Sequence, residues 1–206
     1  MLISRTMQNV IRVLLNKERI KLRELSREAS VPLGVTVKNT KALERTGYIE
    51  KTVYIKVTNK EKLTRAWSYA VSIDELEKIE FSVAERPQFA IKRLSGILSK
   101  IKATYAFTLF SATEIIAPYV TPAETHLYIL EKDKEKVKKA FNKESILPAL
   151  KGNVVCFLVD KSYFYCMKEV RGSNVVSLPQ LYVDLFSYGG RGADAAENLI
   201  EVIKNV

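Results

Sequence analysis

The hydrophobic pattern of the N-terminal part of the chain changes period, and the change predicts three helices followed by a short β-ribbon. Apolar residues recur every three or four positions over residues 7–15 and 21–29, as they do on one face of a helix. Pro32 and Gly34 then break the pattern before a third predicted helix over residues 35–46, which Gly47 closes in the position that helix C-caps prefer. Over residues 48–57 the period becomes two, which is typical of a β-ribbon.

The rest of the chain alternates helical and strand patterns, which favours an α/β or α+β domain. Thr58 or Asn59 can cap a helix that carries Trp67, which we expect in the core. Residues 71–85 contain neither Gly nor Pro, so we place a boundary without a flexible linker there and predict domains over 1–72 and 73–206. Predicted helices follow over 87–101, 112–117, 133–141, 180–186 and 191–203, with strands over 105–110, 126–130, 154–159, 163–167 and 175–176.

The charge of the chain is concentrated in its first third. Residues 1–70 carry 15 Lys and Arg against 6 Asp and Glu, whereas the remaining residues carry 18 against 17, so that +9 of the net +10 lies at the N-terminal end. A localised basic excess is the electrostatic signature of a polyanion-binding surface. We therefore expect the partner of the N-terminal domain to be nucleic acid.

The order helix, helix, tight turn, helix and ribbon resembles a winged helix-turn-helix. The resemblance is closest over residues 32–50, in Leu33-Gly34, Leu43-Glu44 and Gly47-Tyr48-Ile49. Thr40 departs from it, since an apolar residue is commoner there, although its methyl group can pack inward. The resemblance implies that the third helix enters the major groove of double-stranded DNA and reads base edges, while other cations contact phosphates. The candidate base readers are Val35, Lys38, Asn39 and Lys41, and the candidate phosphate contacts are Arg23, Arg27, Arg45, Lys51 and Lys56.

For each of these cations a solvated helix face is the alternative interpretation. A protein-interaction winged helix without a nucleic-acid role is the corresponding alternative for the whole domain, and the uneven charge argues against it.

The C-terminal segment carries a second, more specific resemblance. The pattern Gln-x-Tyr-x-Asp-Leu followed by Gly-Arg-Gly resembles the closing signature of AbiEi-type antitoxins, the transcriptional regulators of type IV (abortive-infection) toxin–antitoxin systems. This resemblance implies an α+β chain, with the winged helix-turn-helix joined to a mixed α/β domain of minimal nucleotidyltransferase-like type. It also implies a repressor of its own operon and a cognate nucleotidyltransferase-like toxin as a partner. The matching residues are Gln180, Tyr182, Asp184, Leu185, Gly190, Arg191, Gly192, Ala195, Ala196 and Leu199.

The turn within this signature allows two interpretations. Asp184 and Arg191 could form an ion pair that fixes the turn. Alternatively Arg191, flanked by Gly190 and Gly192, could bind a phosphate or an acidic partner, and Gln180 belongs to the same candidate site.

Catalysis is not expected. Active nucleotidyltransferases resemble one another in a Gly-Ser turn followed by two closely spaced aspartates, and the strand after Gly172-Ser173 contains no acid. Asp133, Asp160 and Asp184 are far apart in the sequence, and His126 has no nearby metal ligand, so we expect no metal and no cofactor. A nucleic-acid-modifying enzyme that holds its substrate with the basic domain is the alternative function.

The remaining expectations concern surroundings and assembly. No long apolar run indicates a signal peptide or a membrane span, so a cytoplasmic protein is expected. Cys156 and Cys166 lie in apolar runs and are expected to be buried, reduced thiols, with a disulfide as the alternative. The sequence leaves open whether the protein forms a homodimer.

Overall fold

The computed structural model divides the chain into two compact units. Unit 1 combines residues 1–72 with residues 178–206, and unit 2 consists of Ile73–Ser177. The structure describes residues 3–116 and 122–204. The predicted domain over 73–206 differs from this division because its last two helices belong to unit 1. Those helices bury side chains against the N-terminal helices, which no local sequence pattern reveals.

Unit 1 begins with three helices, α1 (Arg5–Leu15), α2 (Leu22–Glu28) and α3 (Leu33–Arg45). The Ser4 hydroxyl caps α1 by accepting a hydrogen bond from the Met7 amide at 3.3 Å. Gly47 follows α3 with φ +73°, a left-handed conformation that favours glycine, and its amide donates to the Glu44 carbonyl at 2.9 Å. These ends agree with the predicted helices to within about two residues.

A β-hairpin and a fourth helix follow. The antiparallel hairpin pairs β1 (Ile49–Lys51) with β2 (Ile55–Val57), and Ile20 adds an isolated bridge to Ile55. The helix α4 (Lys60–Ser68) is capped by the Asn59 side chain, which accepts from the Lys62 amide at 2.8 Å. Trp67 on α4 is fully buried, as expected.

The described residues of unit 2 form a seven-stranded mixed sheet with three α-helices. Its strand order is β6-β3-β7-β5-β4-β9-β8, in which β5 and β7 pair in parallel at the centre. The strands, in chain order, are β3 (Lys78–Ser82), β4 (Tyr105–Phe107), β5 (Thr125–Leu130), β6 (Leu147–Pro148), β7 (Val154–Val159), β8 (Lys168–Val170) and β9 (Ser173–Val175). The helices are α5 (Pro87–Lys100), α6 (Leu109–Ile116) and α7 (Lys134–Lys143).

Three features of unit 2 differ from the sequence predictions. The acidic segment before residue 85 contains β3. It was not predicted because its apolar residues Ile79 and Phe81 alternate with the charged Lys78 and Glu80. Residues 163–167 do not form the predicted strand, because the chain makes a 3₁₀ turn over Lys161–Phe164 and then pairs β8 with β9. The strand predicted over 105–110 ends at Phe107, where α6 begins shortly afterwards. Residue 117, the predicted end of that helix, lies outside the described residues.

The chain returns to unit 1 in α8 (Leu178–Tyr188) and α9 (Arg191–Lys204). No helix within the described residues is long and apolar enough to cross a membrane. Both cysteines are free. Cys156 is buried, and burial raises the pKa of its thiol, whereas Cys166 is exposed, contrary to the expectation of two buried thiols.

Candidate nucleic-acid interface

The helix α3 has one buried face and one exposed face, with Val35, Val37 and Ala42 half-buried. The exposed face carries Lys38, Lys41 and Arg45, which recur at helical spacing and form no ion pair within the described residues. The opposite face is buried and consists of Thr36, Asn39, Thr40 and Leu43. A helix with one basic, solvent-facing stripe can present several cations to a polyanion at once.

Asn39 does not lie on the exposed face, contrary to its predicted role as a base reader. It is only 5% exposed, and its Nδ2 donates to the Thr6 Oγ1 of α1 at 3.5 Å. One residue after Lys38 on a helix turns the side chain by about 100°, which carries Asn39 from the solvent side to the α1 side. Thr40 is fully buried, as its methyl group suggested.

The other predicted contacts are distributed over three elements. Val35 is half-buried near the start of α3, and Arg23 and Arg27 lie exposed on α2. Lys56 is exposed on β2, directly across the hairpin from Glu50, while Lys51 is half-buried at the end of β1. Eight of the nine predicted residues are therefore at least partly accessible, and the buried Asn39 is the exception.

A further basic cluster, which the sequence did not predict, lies at the hairpin. The Arg19 guanidinium lies 4.8 Å, and the Lys21 ammonium 5.6 Å, from the ring centroid of Tyr54. We call Arg19, Lys21 and Tyr54 the hairpin cluster. Ile20 positions it, because its backbone exchanges two hydrogen bonds with Ile55, at 3.0 and 2.8 Å. Alternation along paired strands places the neighbours of Ile20 and Ile55 on the face opposite to their own side chains.

The C-terminal signature forms a buried polar chain that reaches α1. Arg12 is 2% exposed, and its Nε donates to Gln180 Oε1 at 2.7 Å. Gln180 Nε2 in turn donates to Asp184 Oδ1 at 2.7 Å. The Arg12 guanidinium also donates to Asn9 Oδ1 at 2.9 Å and lies 5.2 Å from the centroid of the Trp67 ring. A buried guanidinium needs such partners, because leaving one unsatisfied costs several kcal/mol.

The expected ion pair between Asp184 and Arg191 is not formed. Asp184 is buried and bound by Gln180, whereas Arg191 is exposed at the start of α9 and makes no ion pair within the described part of the chain. The turn is held instead by close packing of α8 and α9: a Cβ added at Gly192 would lie 2.4 Å from the Leu185 carbonyl oxygen. Gly190, which precedes α9, has φ +49°.

A second polar cluster joins α4 to α8 and α9. Arg65 binds the Glu197 carboxylate through two hydrogen bonds of 2.5 Å, and Tyr182 donates to Glu197 Oε1 at 3.0 Å. The hydrogen bonds to Glu197 raise the pKa of Arg65, and burial, together with Glu197, raises the pKa of Tyr182 to about 12.

Several titratable residues of unit 2 contact neighbouring backbone or side-chain groups. Asp133 accepts from the Thr104 amide at 2.8 Å, and Asp160 caps the 3₁₀ turn by accepting from the Ser162 amide at 2.7 Å. His126 is buried, with its Nε2 3.3 Å from Glu124 Oε2, and this contact lowers the pKa of Glu124. No group of three His, Cys, Asp or Glu side chains comes together as metal ligands in residues 3–116 and 122–204.

Comparison with known proteins identifies the class to which this chain belongs. Residues 56–204 match the model of a family described as transcriptional regulator, AbiEi antitoxin, type IV toxin–antitoxin system. The chain belongs to this family of AbiEi antitoxins. The matched segment includes α8 and α9 and leaves α1–α3 outside. Neither the curated proteins nor the solved structures give a match.

Proposed function

We propose that unit 1 is a winged helix-turn-helix that binds double-stranded DNA, with α3 in the major groove and the β1–β2 hairpin as the wing. The observation that carries the proposal is the exposed stripe of Lys38, Lys41 and Arg45 on a helix whose other face is fully packed. The family supports the proposal, since its members are described as transcriptional regulators.

The proposed roles follow from exposure. Lys38 and Lys41 reach base edges, since Lys can donate to the guanine O6 and N7 acceptors. Arg45, Arg23, Arg27 and Lys56 contact phosphates, which position the protein without reading sequence. The hairpin cluster adds Arg19 and Lys21, because the Tyr54 ring restricts both cations to the outer face of the wing.

The family also supports a specific target for this binding. We propose that the protein represses its own operon, whose other product is the cognate toxin that the antitoxin family implies. The double-stranded probe for this proposal is therefore the region immediately upstream of the chain's own coding sequence.

The experiment is a fluorescence-anisotropy titration of that duplex, with a scrambled duplex of equal length as control, over a range of salt concentrations. We expect preference for the upstream duplex, and log K falling with log salt by about 0.9 for each phosphate contact. Equal affinity for both duplexes would reject sequence-specific repression, and no binding to either would reject the DNA-binding function.

We propose in addition that unit 2 is a binding module and not an enzyme. Asp133 and Asp160 are engaged in backbone hydrogen bonds on separate elements, which supports structural roles for both carboxylates. The test is incubation of the protein with the four nucleoside triphosphates, Mg²⁺ or Mn²⁺, and RNA or DNA acceptors. Nucleotide transfer that Asp133→Asn or Asp160→Asn abolishes would overturn this proposal.

A further inference from the structure

The family signature residue Gln180 lies in the buried core of unit 1, so its side chain cannot contact DNA directly. It is 1% exposed, and its side-chain amide accepts a hydrogen bond from Arg12 on α1 and donates one to Asp184 on α8. Its side-chain amide therefore uses its oxygen and its nitrogen for different partners. An apolar residue of similar size could fill the space, but it could satisfy neither Arg12 nor Asp184.

Arg12 connects this amide to the helix on which α3 rests. Arg12 belongs to α1, and α1 packs directly against α3, with Thr6 accepting a hydrogen bond from the buried Asn39. The exposed stripe of α3 lies on the side opposite to Asn39. The position of Lys38, Lys41 and Arg45 thus depends in part on how α3 packs against α1, beside its packing against α2 and β1, and Arg12 ties α1 to α8.

Two partners of Arg12 outside α1 lie close, along the sequence, to the two points where the chain passes between the units. Trp67, whose ring the Arg12 guanidinium faces at 5.2 Å, is near the end of α4, and Gln180 is in the first turn of α8. Unit 2 is inserted between these two helices in the sequence. Arg12 thereby joins the N-terminal helices to both helices that flank the insertion.

We propose that Gln180 is a positioning residue for DNA binding, acting through Arg12 and α1 on the orientation of α3. The proposal rests on the proposed DNA-binding function. It gives the signature glutamine a role in the regulator's affinity for DNA beyond its contribution to the stability of unit 1.

The test compares Gln180→Leu with Val183→Ala in the full chain. Val183 is a fully buried residue of the same helix outside the polar chain, so its truncation lowers the unfolding midpoint without breaking the link to Arg12. Affinity for the upstream duplex is measured at a temperature at which circular dichroism shows each variant folded. We expect Gln180→Leu to weaken binding by about tenfold, within the range of coupling energies, and Val183→Ala to leave the dissociation constant unchanged.

A second measurement uses the native chain and is independent of whether the variants fold. Coupling is reciprocal, so DNA must stabilise α8 if α8 positions the DNA-binding helix. We expect hydrogen exchange of the amides of residues 181–185 to slow when the duplex binds, relative to the β5 amides of unit 2. Unchanged exchange in α8, or native affinity in a folded Gln180→Leu variant, would overturn the positioning role. Failure of the native chain to bind any duplex would instead overturn the proposed function.

Discussion

Arg12 and Gln180 lie 168 residues apart in the sequence and share a 2.7 Å hydrogen bond in the buried core of unit 1. The unit that carries the candidate DNA-binding surface is therefore built from both ends of the chain. The segment that a helix-turn-helix pattern delimits, residues 1–72, contains Arg12 and Trp67 but none of the C-terminal residues that cover them.

A fragment of residues 1–72 should accordingly be far less stable than the same helices in the full chain. It exposes Arg12, Trp67 and the apolar surface that α8 and α9 bury, at a cost of roughly 25 cal/mol per Å² of apolar area. Far-ultraviolet circular dichroism during heating should show a broad, low-temperature transition. A fragment that melts cooperatively at the midpoint of the full chain would show that the C-terminal helices are dispensable.

Asn39→Ala and Lys38→Ala should have opposite effects on folding stability and on DNA recognition, although the two residues are adjacent. Asn39 is buried against Thr6, so its truncation should lower the free energy of unfolding by about 0.5–1.5 kcal/mol but leave the preference of the folded protein for the upstream over the scrambled duplex unchanged. Lys38 is exposed, so its truncation should spare stability and weaken operator binding by about 1–3 kcal/mol. Chemical denaturation and anisotropy on both variants separate the two effects. Loss of that preference in a stable Asn39→Ala protein would return Asn39 to the base-reading face.

The hairpin cluster predicts that an aromatic residue contributes to DNA binding through its cationic neighbours. Tyr54→Ala removes the ring that restricts Arg19 and Lys21, so we expect weaker binding to specific and scrambled duplexes alike. Arg19→Ala should reduce the salt dependence of log K by about 0.9, the value for one phosphate contact. Val53→Ala is the matched control, since Val53 is 78% exposed at the hairpin tip and lies outside the cluster. Equal effects at Val53 and Tyr54 would argue against a specific role for the ring.

Asp133 should contribute to the stability of unit 2 at neutral pH and lose that contribution in acid. Burial opposes its charge, but the Thr104 amide and Lys136 outweigh that effect and lower the pKa of the carboxyl below its usual value. A lowered folded pKa adds stability that is present above the unfolded pKa of about 3.9 and is lost as the pH falls through the folded value. Asp133→Asn should therefore cost about 1–2 kcal/mol at neutral pH, and the difference from the native chain should shrink below about pH 4.

Urea denaturation at a series of pH values measures that difference, with Asp74→Asn at an exposed position as control. A difference between native chain and Asp133→Asn that is constant across the acid range would contradict the role of the ionised carboxylate.

The sequence predicted those elements whose signal is local. The helices of unit 1 and the strand over Val154–Val159 follow from hydrophobic period, and the turn after α3 follows from Gly47. Hydrophobic period cannot report pairing between distant segments. For this reason the return of α8 to α1 and the pairing of β8 with β9 were absent from the prediction.

The sequence predicted only part of the candidate site, again because its signals are local. Charge asymmetry indicated the basic surface, and the resemblance to a winged helix-turn-helix indicated Lys38, Lys41 and Arg45. Asn39 was misplaced because its amide is as suitable for a buried bond to Thr6 as for adenine. Arg19 and Lys21 were missed because the Ile20–Ile55 bridge that places them beside Tyr54 has no signature in the sequence.

The most direct test of the account reverses the charge of the α3 stripe in the full chain. Lys38→Glu, Lys41→Glu and Arg45→Glu together should abolish binding to the upstream duplex at moderate salt, while circular dichroism shows a native fold, because all three side chains are exposed. The control reverses the exposed Lys92, Lys139 and Lys143 of unit 2, which changes the net charge equally. We predict that the control protein keeps sequence-specific binding. If the control lost the same affinity, or the α3 variant retained it, α3 would not be the DNA-binding element.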